Sequence, residues 1–147
     1  MNKNLEKKDI LKIIGKLAMI ILLPLIPNIC SDIMSPLATK MIREYIITVW
    51  GIPLSIIIAY GYITGDKITS TLSGVLLWPL CGLYSYIFKV ELYSSWTLSW
   101  GLLYHLFLPG ILYGLEGYLA SRRGKISLSI AIALGILFIY FLTLIPD

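Results

Sequence analysis

Two ionisable side chains, His105 and Glu116, lie inside one long apolar stretch of the chain, Thr97 to Lys125. Their spacing of eleven residues returns to nearly the same side of a helix, about 16 Å further along its axis. Ionisable groups within a membrane are costly and usually face the bundle interior or a water-filled cavity. The pair therefore predicts a polar intramembrane face, which is a candidate ligand site or proton path.

Each of the two side chains also has a structural interpretation. Glu116 is within reach of Arg122 or Arg123 along the helix, where an ion pair would only fix the depth of the helix in the membrane. His105 could be a neutral imidazole that is hydrogen-bonded to a neighbouring helix. The sequence leaves the structural and the functional roles open.

Residues for other kinds of chemistry are scarce. One histidine and two separated cysteines, Cys30 and Cys81, do not provide the clustered ligands of a metal site such as HExxH or paired CxxC. The chain also lacks a GxSxG elbow and a GxGxxG or Walker-type loop. We therefore predict no metal and no cofactor, and the pattern does not favour an enzyme.

The composition is that of a membrane protein. Hydrophobic residues make up 58% of the 147 residues and charged residues only 14%, whereas soluble domains carry about a quarter charged residues. The apolar residues form blocks of roughly 20, the length of a membrane-spanning helix, and they do not alternate as barrel strands do. The sequence predicts an all-α integral membrane bundle that forms a single domain over residues 1–147.

Five apolar segments are predicted to span the membrane, with very short loops between them. Each of the first four contains a proline (Pro24, Pro53, Pro79 and Pro109), which predicts a kinked helix because proline lacks an N–H and clashes with the preceding turn. Residues 32–40 are predicted to be a polar connection. The predicted spans are 10–31, 45–65, 68–88, 97–120 and 126–145.

The basic residues predict the orientation. Cytoplasmic loops of membrane proteins carry an excess of lysine and arginine, and a cytoplasmic N-terminus with an external C-terminus places most of the 12 basic residues inside. Arg122, Arg123 and Lys125 are then cytoplasmic anchors, whereas Arg43 and Glu44 belong to a set of outer-face charges. The basic residues flank apolar segments, so no nucleic-acid partner is predicted. The inner residues are Lys3, Lys7, Lys8, Lys12, Lys16, Lys67, Arg122, Arg123 and Lys125, and the outer ones are Lys40, Arg43 and Lys89.

Small residues mark two surfaces for close helix packing. Gly110 and Gly114 form a GxxxG motif, and Ser127, Ala131 and Gly135 form a ridge at four-residue spacing. Such surfaces let helices approach closely. They fit either packing within the bundle or self-association.

These features predict a multi-pass protein of the cell membrane, with the lipid bilayer and either a membrane protein or a second copy of the chain as partners. The leading functional hypothesis is a non-catalytic subunit or accessory protein of a larger, transport-type membrane complex. A small oligomeric transporter or channel that uses the polar face of the fourth span is the first alternative. A membrane enzyme that acts on a lipid or prenyl-linked substrate is the second.

Overall fold

A computed structural model describes residues 3–38, 41–88 and 100–144, with side chains over 9–34, 41–84, at 87 and over 108–144. Within these residues the chain forms α-helices and no strand, which confirms the all-α prediction. The six helices are α1 (Lys3–Leu22), α2 (Leu25–Ala38), α3 (Ile42–Thr64), α4 (Lys67–Phe88), α5 (Trp100–Ser121) and α6 (Lys125–Leu144).

The last four helices coincide closely with the last four predicted apolar segments. Within the described residues, α3 and α6 are each long and apolar enough to cross a membrane. The number rises to three if α1 and α2, which meet at a bend of 41°, form one broken span. The structure thus contains two or three candidate membrane spans.

The break between α1 and α2 has its cause in two prolines. Pro24 lies at the break and Pro27 follows in the first turn of α2, and both are fully buried. Because Pro27 has no N–H, the carbonyl of Leu23 accepts a shorter-range hydrogen bond from the Ile26 N–H, at 3.1 Å. Of the four predicted kinks, the one at Pro24 is therefore visible as a break, while Pro53, Pro79 and Pro109 lie within uninterrupted helices.

The predicted connection over residues 32–40 is wrong for most of its length, because α2 continues to Ala38. The prediction placed a helix end where polar residues begin. Asp32 and Ser31 are compatible with a helix, however, and no glycine occurs before residue 38 to end it. The hydroxyls of Ser31 and Tyr45, 2.8 Å apart, then join α2 to the start of α3.

Contacts between helices show that the chain runs up and down. Lys16 contacts Asp66 and Asn28 contacts Cys81, so α1 and α2 run in the same direction as α4. The α3–α4 turn and the α5–α6 turn lie together, because Arg123 donates a hydrogen bond to the carbonyl of Tyr62 at 3.2 Å. We call this end of the bundle, with Lys16, the two turns and Arg123, the Asp66 end.

The α4–α5 pair has the most extensive contact in the bundle, and glycines allow it. A Cβ atom at Gly110 would lie 2.5 Å from the carbonyl oxygen of Val75, and one at Gly117 would lie 2.5 Å from that of Ser70. From the other side, a Cβ at Gly74 would collide with the backbone of Tyr113. The GxxxG motif at Gly110 and Gly114 therefore packs within the chain, backbone against backbone.

Helix α6 packs against α3 and α5 through its small-residue ridge. Ala131 and Gly135 are its buried residues, and a Cβ at Gly135 would lie 2.6 Å from a methyl group of Leu54 on α3. The apolar core lies between the helices, where residues of α3, α4 and α5 contact Leu23 at the break between α1 and α2. Its buried members are Leu23, Leu54, Ile57, Leu77 and Tyr113.

Candidate functional site

Helix α5 holds Glu116 three residues after Tyr113, whose side chain contacts α3 and α6. Tyr113, one turn earlier on the same face, donates its hydroxyl hydrogen to the carbonyl of Trp50 on α3 at 3.2 Å. Its ring packs edge-on against that of Phe138 on α6, with centroids 5.5 Å apart. Since residues three apart on a helix are neighbours, Glu116 lies beside Tyr113 in the interior.

The carboxyl group of Glu116 is buried and has no hydrogen-bond partner among the described residues. Only 1% of the residue is exposed, and neither carboxyl oxygen has a hydrogen-bond partner among the described residues. Buried carboxylates are normally paired or hydrogen-bonded, because an isolated charge in an apolar interior costs several kcal/mol. A neutral, protonated carboxyl group is the form that this environment tolerates.

The predicted ion pair between Glu116 and an arginine is not formed in the described part of the chain. Arg123 instead binds the end of α3, where its guanidinium donates to the carbonyls of Tyr62 and Ile63. These carbonyls have no partner within their own helix, and a cation at a helix C-terminus is favourable. The φ of Arg123 is 55°, which turns the chain after α5 and brings this side chain to α3.

Gly65 makes the approach of Arg123 possible. It ends α3 with a φ of 67°, and its N–H donates to the carbonyl of Gly61 at 2.8 Å. A Cβ atom at Gly65 would lie 2.8 Å from Nε of Arg123. The predicted cytoplasmic anchors thus include one residue, Arg123, that ties two turns together, while Arg122 and Lys125 are exposed beside it.

For His105, the other residue of the predicted polar face, the structure describes only the backbone. His105 lies in α5, which is continuous from Trp100 to Ser121, so its spacing from Glu116 is that of one regular helix. The side chain of His105 lies outside the described side chains. The proposed pairing of His105 and Glu116 therefore stays a prediction.

A second carboxylate, Asp66, was not singled out from the sequence and lies at the turn that begins α4. Its Oδ1 accepts the Thr69 N–H at 3.1 Å and its Oδ2 accepts the Thr69 hydroxyl at 2.8 Å, which is an N-cap. Lys16 from α1 adds an ion pair at 2.7 Å. Burial raises the pKa of Asp66, but the hydrogen bonds from Lys16 and Thr69 outweigh it and lower the pKa to about 2.

Two tryptophans on α3 and α4 add aromatic area to the core. Trp50 and Trp78 are stacked, with ring centroids 4.0 Å apart and an interplanar angle of 5°. The indole nitrogen of Trp78 and the hydroxyls of Thr71 and Ser73 are buried without a hydrogen-bond partner among the described residues. Within the same part of the chain, no group of three or more His, Cys, Asp or Glu residues could hold a metal ion.

Arg43 and Glu44, which the sequence predicts to be outer-face charges, lie in the first turn of α3, at the opposite end from Asp66, and both are exposed. Between the two ends, a largely apolar groove of about 910 Å³ runs along α3 and α6. On α3 the groove extends from Ile47 to Tyr62, which is about 22 Å of helix. Ala59 and Ile136 are among the exposed residues that line it.

The chain matches no protein-family model, and no curated protein or solved structure is significantly similar to it.

Proposed function

We propose that this chain is a five-span membrane protein of transport type in which Glu116 takes up and releases a proton. The observation that supports the proposal is a carboxyl group buried to 1% exposure with no partner among the described residues. An uncompensated acid is costly in stability terms, and within membranes such groups mark ion and proton pathways. Because a second protein cannot reach so buried a side chain, its role is internal to the bundle.

The five-span arrangement is part of the proposal and has geometric support. Helices α4 and α5 have 22 residues each, about 33 Å, which matches the roughly 30 Å of a hydrocarbon core. The alternating helix directions bring Lys16, Lys67 and Arg123 to the Asp66 end, which we assign to the cytoplasm. The first span then begins near residue 17 and crosses the bilayer through the bend at Pro24.

This arrangement gives Glu116 a shallow depth on the cytoplasmic side. Gly117 lies against Ser70, and Ser70 follows Asp66 by one turn, so Glu116 lies about 6–9 Å inside the plane of the α3–α4 turn. A proton could reach it from the cytoplasm after a modest opening of the bundle. The His105 side of α5 leads from Glu116 toward the other surface, as the transport hypothesis requires.

The test is a proton-flux measurement on purified protein in liposomes that contain a pH-sensitive dye. We expect the wild-type protein to dissipate an imposed pH gradient and Glu116→Gln, which cannot exchange a proton, to abolish the flux. Glu44→Gln makes the same chemical change at an exposed carboxylate and should retain wild-type flux. Wild-type liposomes that hold the gradient, or full flux in Glu116→Gln, would contradict the proposal.

A non-catalytic accessory subunit is the second candidate, and the α3–α6 groove favours it. The groove is bordered by apolar side chains along more than half the thickness of a hydrocarbon core. Gly51 and Gly135 line it without side chains, which leaves room between α3 and α6. Small residues at such positions let another transmembrane helix approach closely. A larger membrane protein could therefore dock there through one of its helices.

Purification from native membranes in a mild detergent tests this second candidate. We expect a larger membrane protein to co-purify with the wild-type chain and to be lost with Ala59→Trp, which fills the groove. Ile111→Trp places the same bulk on the exposed face of α5 and should leave the complex intact. A monodisperse, solitary wild-type chain would count against the subunit hypothesis.

A further inference from the structure

The first part of α1 is a helix without a packing partner in the described bundle. Every residue from Asp9 to Leu17 is exposed, and, apart from the adjacent residues and backbone of α1 itself, no atom of the described residues lies within 4 Å of the position that a Cβ at Gly15 would occupy. Packing begins further along, where Met19 contacts the core. The contact that joins this stretch to the bundle is the ion pair from Lys16 to Asp66.

The exposed stretch has two faces of opposite character. Ile10, Ile13, Ile14 and Leu17 follow the spacing of one helical face, and each is more than half exposed. Lys8, Lys12 and Lys16 follow one another at four-residue spacing. At 100° of rotation per residue, the centre of this row lies about 200° around the helix axis from Ile10, which is the opposite side. A helix with an apolar stripe and lysines opposite is typical of segments that lie at a membrane surface.

The ion pair to Asp66 fixes where this segment begins relative to the bilayer. Since α1 runs in the same direction as α4, the residues before Lys16 extend beyond the α3–α4 turn and away from the bundle. Lys12 is one helical turn, about 6 Å, further out. That distance falls within the headgroup layer, which is about 5–8 Å thick on each side of the hydrocarbon core.

We propose that residues 3–17 of α1 bind anionic lipid headgroups at the cytoplasmic surface, with Ile13, Ile14 and Leu17 of the apolar stripe in the interface and Lys12 at the phosphates. The lysines that precede Lys12 add to the attraction through the negative potential that extends from such a surface. Five lysines against Glu6 and Asp9 give this segment the positive charge that such a surface attracts. The inference rests on the proposed membrane orientation of the Asp66 end but not on proton exchange at Glu116. Its ligand class is a phosphate-bearing, negatively charged phospholipid.

The experiment attaches an environment-sensitive fluorophore to Ile13→Cys in a chain that also carries Cys30→Ser and Cys81→Ser. The protein is placed in nanodiscs of phosphatidylcholine alone or with phosphatidylglycerol, and a water-soluble quencher reports the exposure of the label. We expect protection in the anionic nanodiscs that high salt reverses. Lys8→Gln with Lys12→Gln should weaken the association about fivefold for each lysine removed.

Matched variants and alternative outcomes make the result decisive. Lys67→Gln with Lys125→Gln removes the same charge from the same end of the bundle but not from α1, and it should preserve protection. Equal quenching in both lipids, or equal protection in both, overturns the proposal. Protection that depends on protein concentration indicates a second copy of the chain and also overturns it. Glu116→Gln should leave protection unchanged, so a failure of proton flux is distinguishable from a failure here.

Discussion

Asp66 and Glu116 are two carboxylic acids on neighbouring helices with opposite surroundings. Asp66 lies in a turn, where the Thr69 N–H, the Thr69 hydroxyl and the Lys16 ammonium all reach its oxygens. Glu116 is the more deeply buried of the two, and its oxygens have no partner among the described residues. The same functional group is thus stabilised as an anion at one site and left without compensation at the other.

The difference separates a structural acid from a candidate functional one. Asp66 holds α1 against the start of α4, and its charge is part of that connection. Glu116 makes no such connection to any described residue, so its polarity has no evident benefit to this part of the fold. Four changes, from the largest expected loss of stability to the smallest, test this contrast.

Glu116→Lys should have the largest effect, because it places an ammonium group in an apolar site with no partner. A loss of several kcal/mol is expected, enough to prevent recovery of a monodisperse protein in detergent. Size-exclusion chromatography of the purified protein checks this. Glu44→Lys reverses the charge of an exposed residue and should behave as the wild-type protein; normal yield of Glu116→Lys would mean that the site is open to water.

Asp66→Ala should lower the free energy of unfolding by about 1–2 kcal/mol, because α4 loses its N-cap and Lys16 loses its partner. Asp66→Asn keeps the capping oxygen but loses the charge, so it should lower the free energy of unfolding by less than Asp66→Ala does. Unfolding of the purified protein by increasing SDS, followed by circular dichroism, measures both. An alanine variant as stable as the wild type would show that the cap is not needed.

Acid should weaken the wild-type protein through Asp66 by about 1 kcal/mol. Because the pKa of Asp66 is lowered from 3.8 to about 2, its contribution is complete above pH 4 and disappears as the pH falls toward 2. The same unfolding measurement, repeated across this range, should show a decline that is absent in Asp66→Asn. An identical decline in that variant would assign the effect to other groups.

Glu116→Gln should have the smallest effect on stability, within about 1 kcal/mol of the wild type, because an amide has nearly the shape of a neutral carboxylic acid. The infrared band of a protonated carboxyl group should be present in the wild-type protein and absent in this variant. A large loss of stability would instead mean that Glu116 is an ionised and partnered group. Normal stability combined with lost proton flux would separate function from fold at this one residue.

The sequence predicted more of the helices than of the contacts between them. Apolar segments identified α3 to α6 within a few residues because uncharged blocks end at Gly65 and at the Arg122–Lys125 cluster. The end of α2 was missed because the polar residues from Asp32 onward were interpreted as a connection, whereas the helix continues through Pro36 to Ala38. Polar residues such as Ser31 and Asp32 therefore do not by themselves mark the end of a helix.

The candidate site was predicted only in part. Glu116 was identified by its position in an apolar segment. The ion pair to an arginine that the sequence also allowed is not formed among the described residues, because the turn at Arg123 directs that side chain to α3. The ion pair from Lys16 to Asp66 joins distant parts of the chain and leaves no periodic signal. Only the N-cap has a local sequence signal, because Asp66 follows a glycine and lies three residues before Thr69, whose N–H it accepts.

The glycine contacts between α4 and α5 also limit how this molecule can move. Where Gly74, Gly110 and Gly117 bring two backbones together, neither helix can slide or rotate without a collision, so the two behave as one rigid body. Water can then gain access to Glu116 only if α3 or α6 moves away from that body. Helix α6 is the less restrained of these two, because Ala131 and Gly135 are its only buried residues in the part of the chain that the structure describes. For the proton exchange proposed at Glu116, a displacement of the last helix would therefore be the motion that gives water access to the carboxyl group.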